Sequence, residues 1–145
     1  MEEFVRPILL ADDDEDDRFL ACEAMEASKL RNPLVMVNDG AYLMEALRGE
    51  GKYAGNAVDP VLILLDLNMP RVDGREALRM IKTDPNLAHI PVVIMTTSKS
   101  EEDMLRTTGL GASAFITKPV SFTGLVEVMQ QLPQYWMEIV EVPSP

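Results

Sequence analysis

Five short apolar runs punctuate this chain: "ILLA" (8–11), "LVMV" (34–37), "VLILLD" (61–66), "VVIMT" (92–96) and "AFIT" (114–117). They are near-continuous rather than alternating, the pattern of strands buried on both faces of a parallel sheet. Between and after them lie segments of helical spacing at 15–28, 41–48, 74–83, 100–108 and 121–132. The segment at 41–48 follows "NDG" and stops at Gly49. Segment 74–83 places Ala77, Leu78 and Ile81 on one face. Segment 100–108 opens with Ser100, Glu101, Glu102 and Asp103, a capping residue followed by first-turn acids. Segment 121–132 places Phe122, Leu125, Val126, Met129 and Leu132 on one stripe, the spacing of a helix lying on a sheet. Strand–helix units in succession require right-handed crossovers and helices on both faces. The expected fold class is therefore α/β, a doubly wound five-stranded parallel sheet. In such sheets a ligand binds at the carboxyl ends of the strands.

The polar residues at those ends are thus the candidate site. The first strand runs straight into six consecutive carboxylates, Asp12 to Asp17. Such groups repel one another unless they face water or hold a cation. The third strand ends in Asp66, the fourth in Thr96, and the fifth in Thr117 and Lys118, followed by Pro119. A charge placed as Asp66 is, within "LILLDLNMP", is costly unless paired or liganded. Two or three carboxylates with water suit a hard cation such as Mg²⁺. A carboxylate such as Asp66 can attack phosphorus to give an aspartyl phosphate. Phosphoryl transfer then needs positioning and charge neutralisation, here from the cation, Lys118 and a hydrogen bond from Thr96. Asp12 and Asp13, directly after a buried strand, belong to this site. Asp14 to Asp17 read instead as a solvated helix start, where each acid meets the helix dipole favourably by about 0.3–1 kcal/mol. Lys118 as a purely structural partner of Asp66 is the alternative for a degenerate site.

Composition narrows the partners. A length of 145 residues suits one domain, and 47% hydrophobic content supplies a core. The net charge of −11 argues against nucleic acid and anionic membrane surfaces, which need a basic footprint. "MEEFVRP" lacks the pattern of a signal peptide, and no apolar run approaches a membrane span, so a cytoplasmic location is expected. The single cysteine, Cys22, reads as a small packed residue rather than a nucleophile. His89, the lone histidine, reads as a surface residue, and the ten methionines as core fillers. "GEGKYAGNAVDP" (49–60) reads as an enlarged surface loop. The tail, 133–145, carries Tyr135, Trp136, Met137, Ile139, Val140 and Val142. Unpaired, it would form an apolar patch. It is expected to act as an interaction arm that, with the fourth and fifth units, builds a symmetric homodimer. Folding back on its own domain is the alternative.

Four pieces, in this order, carry a family resemblance: "LLADDD", "LLDLNMPRVDG", "VVIMTTS" and "FITKP". With them the chain resembles the receiver domain of two-component response regulators, over roughly residues 7–132. "TTSKSEED" and "QYWMEIVEVP" are most similar to the stand-alone regulators that partner phytochrome-type histidine kinases. The resemblance implies a flavodoxin-like sheet of order 2-1-3-4-5, with residues 1–132 as the receiver. It implies that Asp66 accepts a phosphoryl group from a sensor histidine kinase. Mg²⁺ would be bound by Asp13, Asp66 and the main-chain carbonyl of Asn68, with Asp12 acting through a metal-bound water. Thr96 and Phe115 would form the switch, Lys118 would ion-pair with the phosphoryl group, and Lys118–Pro119 would be cis. The output face would combine the helix at 100–108, the strand at 114–117 and the helix at 121–132. Beyond self-phosphorylation from a phosphodonor and autodephosphorylation, no enzymatic activity is implied.

The long 49–60 loop departs from minimal receivers, and Phe115, lacking a hydroxyl, can signal only by packing. No output domain is expected after the fifth unit. One alternative keeps the chemistry in a phosphorelay intermediate that passes phosphate to a histidine phosphotransfer protein. A phosphatase with an aspartyl nucleophile is disfavoured because Asn68 stands where such enzymes commonly carry a second aspartate. A scaffold that never takes phosphate is the third alternative.

Overall fold

The computed structural model describes residues 5–67, 69, 74–97, 111–119 and 121–135. The helix expected at 100–108, Asn68 and tail residues Trp136, Met137, Ile139 and Val140 lie outside the described residues. Each apolar run forms a strand: β1 (Ile8–Ala11), β2 (Leu34–Val37), β3 (Leu62–Asp66), β4 (Val92–Thr96) and β5 (Ala114–Thr117). The helices are α1 (Glu15–Ser28), α2 (Gly40–Arg48), α3 (Gly74–Thr83) and α4 (Phe122–Gln131). All strand pairs are parallel, and the sheet order is β2-β1-β3-β4-β5, as the resemblance implied.

Strand residues alternate between two cores because successive side chains leave a sheet on opposite faces. Leu9, Ala11, Ile63, Leu65, Val92 and Ile94 face α2 and α3, where Leu43, Leu47, Leu78 and Ile81 cover them. Ile8, Leu10, Leu62, Leu64, Val93 and Met95 face α1 and α4, where Ala21, Ala24, Met25, Met129 and Leu132 cover them. Burial on both faces holds for β1, β3 and β4 but fails at the margins. The edge strands β2 and β5 have one neighbour each and are only partly covered.

Local chemistry sets the helix ends. Asp14 caps α1, its carboxylate accepting from the backbone N–H of Asp16 and Asp17. Asp39 caps α2 by accepting from Tyr42 N at 2.8 Å, so the helix takes in Gly40, one residue before the expected start. Gly49 closes α2 in the left-handed region at φ 69°, a conformation that glycine adopts without penalty. The 49–60 loop is tied down rather than loose. It holds a 3₁₀ turn at Gly51–Tyr53, Val58 N donates to Ala46 O, and the Lys52 ammonium sits over the Tyr42 and Tyr53 rings.

Three expectations are corrected. Cys22 is exposed, because α1 turns Ala21, Ala24 and Met25 to the sheet and leaves position 22 outside that stripe. Phe122, at the first helical position of α4, is likewise exposed, whereas Leu125, Val126, Met129 and Leu132 pack inward as expected. No cis peptide occurs among the described residues, so Lys118–Pro119 is trans. Trans is the intrinsic preference of an X–Pro bond, and here Lys118 reaches its partners without leaving it. The chain also stays helical through 133–135, and Tyr135 packs on the core beneath α1 and α4. At that one position the tail folds back on its own domain.

Gly74 opens α3 hard against the end of β3. A Cβ there would lie 2.6 Å from Asp66 O and 2.7 Å from Leu67 Cα. Helix propensity alone predicts that Gly74→Ala stabilises by about 1 kcal/mol. The backbone contact reverses the sign, since overpacking costs about 1–3 kcal/mol. Urea unfolding should show Gly74→Ala less stable than the parent; an equal or higher midpoint would refute the contact argument.

Candidate functional site

Register brings the strand-end residues to one level. Ala11 aligns with Leu65, which places Asp12 beside Asp66, one step beyond. Asp66 aligns with Met95, and Thr96 with Thr117. Lys118 N donates to Thr96 O at 2.7 Å, fixing where the lysine leaves the sheet. Asp12 and Asp66 are 4% and 6% exposed, and Thr96 is fully buried. Asp13 is exposed at the mouth of the site.

Asp12, Asp13 and Asp66 each offer a carboxylate oxygen within 4.8 Å of the others. Such a set of hard oxygen donors, two buried and one open to water, fits a divalent cation. Asp12 is held from several sides. Its Oδ1 accepts from Asp14 N at 3.0 Å, its Oδ2 accepts from Lys118 Nζ at 3.1 Å, and its carbonyl accepts from Arg18 Nη1 at 2.8 Å. The start of α1 is therefore strapped to the site.

Lys118 is the shared counter-ion. Its Nζ lies 3.1 Å from Asp12 Oδ2, 3.0 Å from Asp17 Oδ2 and 3.7 Å from Asp66 Oδ2. Burial opposes the ammonium charge, but the hydrogen bond to Asp17, the charges of Asp12 and Asp66 and the hydrogen bond to Asp12 outweigh it, and the pKa rises above the ordinary 10.5. A folded value above the unfolded one means that the stabilisation is complete below that ordinary value and is lost as pH climbs through the raised one. Near neutrality Lys118 is a fixed cation.

Thr96 and Phe115 fall on one face of the sheet. Phe115 aligns with Ile94, two residues before Thr96 on β4, and packs on the α2–α3 core. It is thus a diagonal neighbour of Thr96, behind the hydroxyl as seen from the strand ends. Tyr135 is the tail residue whose place is described, and it lies in the other core.

Asp17 was misread from the sequence as part of a solvated helix start. Its backbone N–H does serve that start, but its side chain bonds Lys118. The signal was present: positions 17, 21 and 24 follow helical spacing, and Ala21 and Ala24 are buried. The acidic run concealed it. Asp14, expected among the first-turn acids, sits one step earlier, as the N-cap of α1.

The chain matches the response regulator receiver domain family over residues 8–130. The response regulator Rcp1 of Synechocystis sp. is 38% identical, the alignment covering 94% of this chain and 92% of Rcp1. The crystal structure of the phosphorylated cyanobacterial phytochrome response regulator RcpA superposes with a TM-score of 0.82 at 39% identity, covering 97% of this chain and all of that one. The Mn²⁺-bound form of Rcp1 superposes with a TM-score of 0.79 at 37% identity, covering 96% of this chain and 99% of that one. Phytochrome response regulators are thus near relatives, and the Rcp1 structure holds a divalent metal. Sheet order, strand-end chemistry and these matches converge, and the chain belongs to the response regulator receiver domain family.

Proposed function

We propose that Asp66 is the phosphoacceptor of a receiver that answers a sensor histidine kinase of the phytochrome type. One observation carries the reading: three carboxylates meet within 4.8 Å at the carboxyl edge of the sheet, with Lys118 Nζ 3.7 Å from Asp66. An oxygen of Asp66 attacks the phosphorus of a phosphohistidine; the P–N bond breaks, and the imidazole leaves with the electron pair. Lys118 then pairs with the phosphoryl oxygens, and Thr96 donates a hydrogen bond to one of them. Asp13, Asp66 and the Asn68 carbonyl would hold Mg²⁺, with Asp12 acting through a water. When bound, the ion supplies the charge neutralisation that lets two anions meet.

Movement of Thr96 toward the phosphoryl group opens space into which the Phe115 ring turns, and the surface around β5 and α4 changes partners. Water attack on the aspartyl phosphate resets the site. The chain catalyses only these steps on itself, in the cytoplasm. Residues 1–132 act as the receiver, while 133–145, including Trp136, Met137, Ile139 and Val140, form a homodimer arm. The relay alternative is not favoured, since phytochrome response regulators are among the relatives matched over almost the whole chain.

With Mg²⁺ and acetyl phosphate, intact mass should show one phosphoryl adduct on the parent and none on Asp66→Asn. An adduct on both would move the acceptor elsewhere. Mg²⁺ should raise the melting temperature, by the equivalent of about 2.7 kcal/mol at a hundredfold excess over Kd. Asp13→Asn should raise the melting temperature of the metal-free protein and abolish the adduct; a metal-free variant no more stable than the parent would count against repulsion among the carboxylates. Sedimentation should show a dimer at micromolar concentration, and a monomer in both phosphorylation states would remove the tail from this reading.

A further inference from the structure

Lys118 makes its two short contacts on the α1 side of the site. It donates to Asp12 at 3.1 Å and to Asp17 at 3.0 Å, and is farther from Asp66, at 3.7 Å. The two acceptors are not equally committed. The Asp12 side chain is 5% exposed and also accepts from Asp14 N, so it cannot leave without stranding a buried charge. The Asp17 side chain is 41% exposed and can pass to water. Beside the pair lies a cleft of about 120 Å³ between α1 and α4, lined by Leu20, Phe122 and Leu125 together with Asp17 and Lys118. The ion pair therefore has room to rearrange without repacking the core.

A phosphoryl group on Asp66 would present new anionic oxygens to the same ammonium. Lys118 has three protons and a flexible stem, and it exchanges the acceptor that is most easily released. We propose that Asp17 is a positioning residue that holds Lys118 toward α1 in the resting protein and releases it when Asp66 carries the phosphoryl group. The inference rests on the receiver reading above. It makes the Asp17–Lys118 pair a brake: resting pairing must loosen before the phosphoryl group is fully neutralised. Removing Asp17 shifts the equilibrium toward the phosphorylated arrangement.

The test is equilibrium binding of beryllofluoride with Mg²⁺, read by fluorine NMR, on the parent, Asp17→Asn and Asp16→Asn. Asp16→Asn removes the same charge one residue away, so it reports the general electrostatic effect. The main-chain N–H that Asp14 caps survives in both variants. Asp17→Asn should tighten beryllofluoride roughly two- to fivefold, the scale of one partly exposed ion pair, and Asp16→Asn less than twofold. Beryllofluoride is titrated at a Mg²⁺ concentration that saturates each protein, so that a change in metal affinity does not enter the comparison. A merely structural role for Asp17 would lower the melting temperature without tightening binding. Asp17→Ser, which keeps a short polar side chain at the helix start, repeats the measurement should Asp17→Asn fold poorly. Equal effects of the position 16 and 17 variants, or unchanged or weaker binding in Asp17→Asn, would overturn the inference and leave the receiver reading standing. A parent that neither binds beryllofluoride nor gains an adduct would overturn both.

Discussion

Everything at the carboxyl edge of this sheet depends on one half-buried ammonium. Asp12 and Asp66 are almost fully enclosed, and Lys118 lies within 4 Å of both and of Asp17. Without that cation the carboxylates would face one another in a poorly solvated pocket, a cost that neither packing nor the helix dipole offsets. The constraint reaches outward. β5 must end level with β4 for Lys118 to arrive, which the Lys118 N to Thr96 O bond secures. α1 must begin within reach of the pocket, which Asp14 and Arg18 secure from either side of the turn.

The remainder of the fold holds that edge still. Alternate residues of the three central strands feed two separate cores, so α1 and α4 brace one face while α2 and α3 brace the other. Gly74 lets α3 approach the backbone of Asp66 more closely than a Cβ would permit. The main chain of Asp66 is thus closely packed against the start of α3.

Much of this was legible in the residues. Near-continuous apolar runs located each strand among the described residues, and helical stripes such as Ala77, Leu78 and Ile81 located the buried faces. Asp12, Asp13, Asp66, Thr96 and Lys118 were identifiable because each stands where an apolar run ends. Misreadings came where two causes give one pattern. LVMV and AFIT are as apolar as the central strands, yet their place at the margins leaves them half covered. Phe122 fits the α4 stripe but sits at the helix start, beyond the sheet's cover. The Asp17 side chain was hidden by its neighbours, since an acid suits a first helical turn whether or not it reaches inward.

The sequence by itself determined the class of fold, the order of its units and which residues reach the carboxyl edge. Those follow from short-range rules, hydrophobic period and the polar residues that interrupt it, which act between near neighbours in the chain. Only the tertiary structure decided which carboxylates share Lys118, that Asp17 is among them, and that Cys22 looks outward. Residue 17 and residue 118 meet because β1 and β5 lie in one sheet and α1 packs beside α4. No local pattern specifies a contact across a hundred residues of chain; burial of both faces of the sheet does.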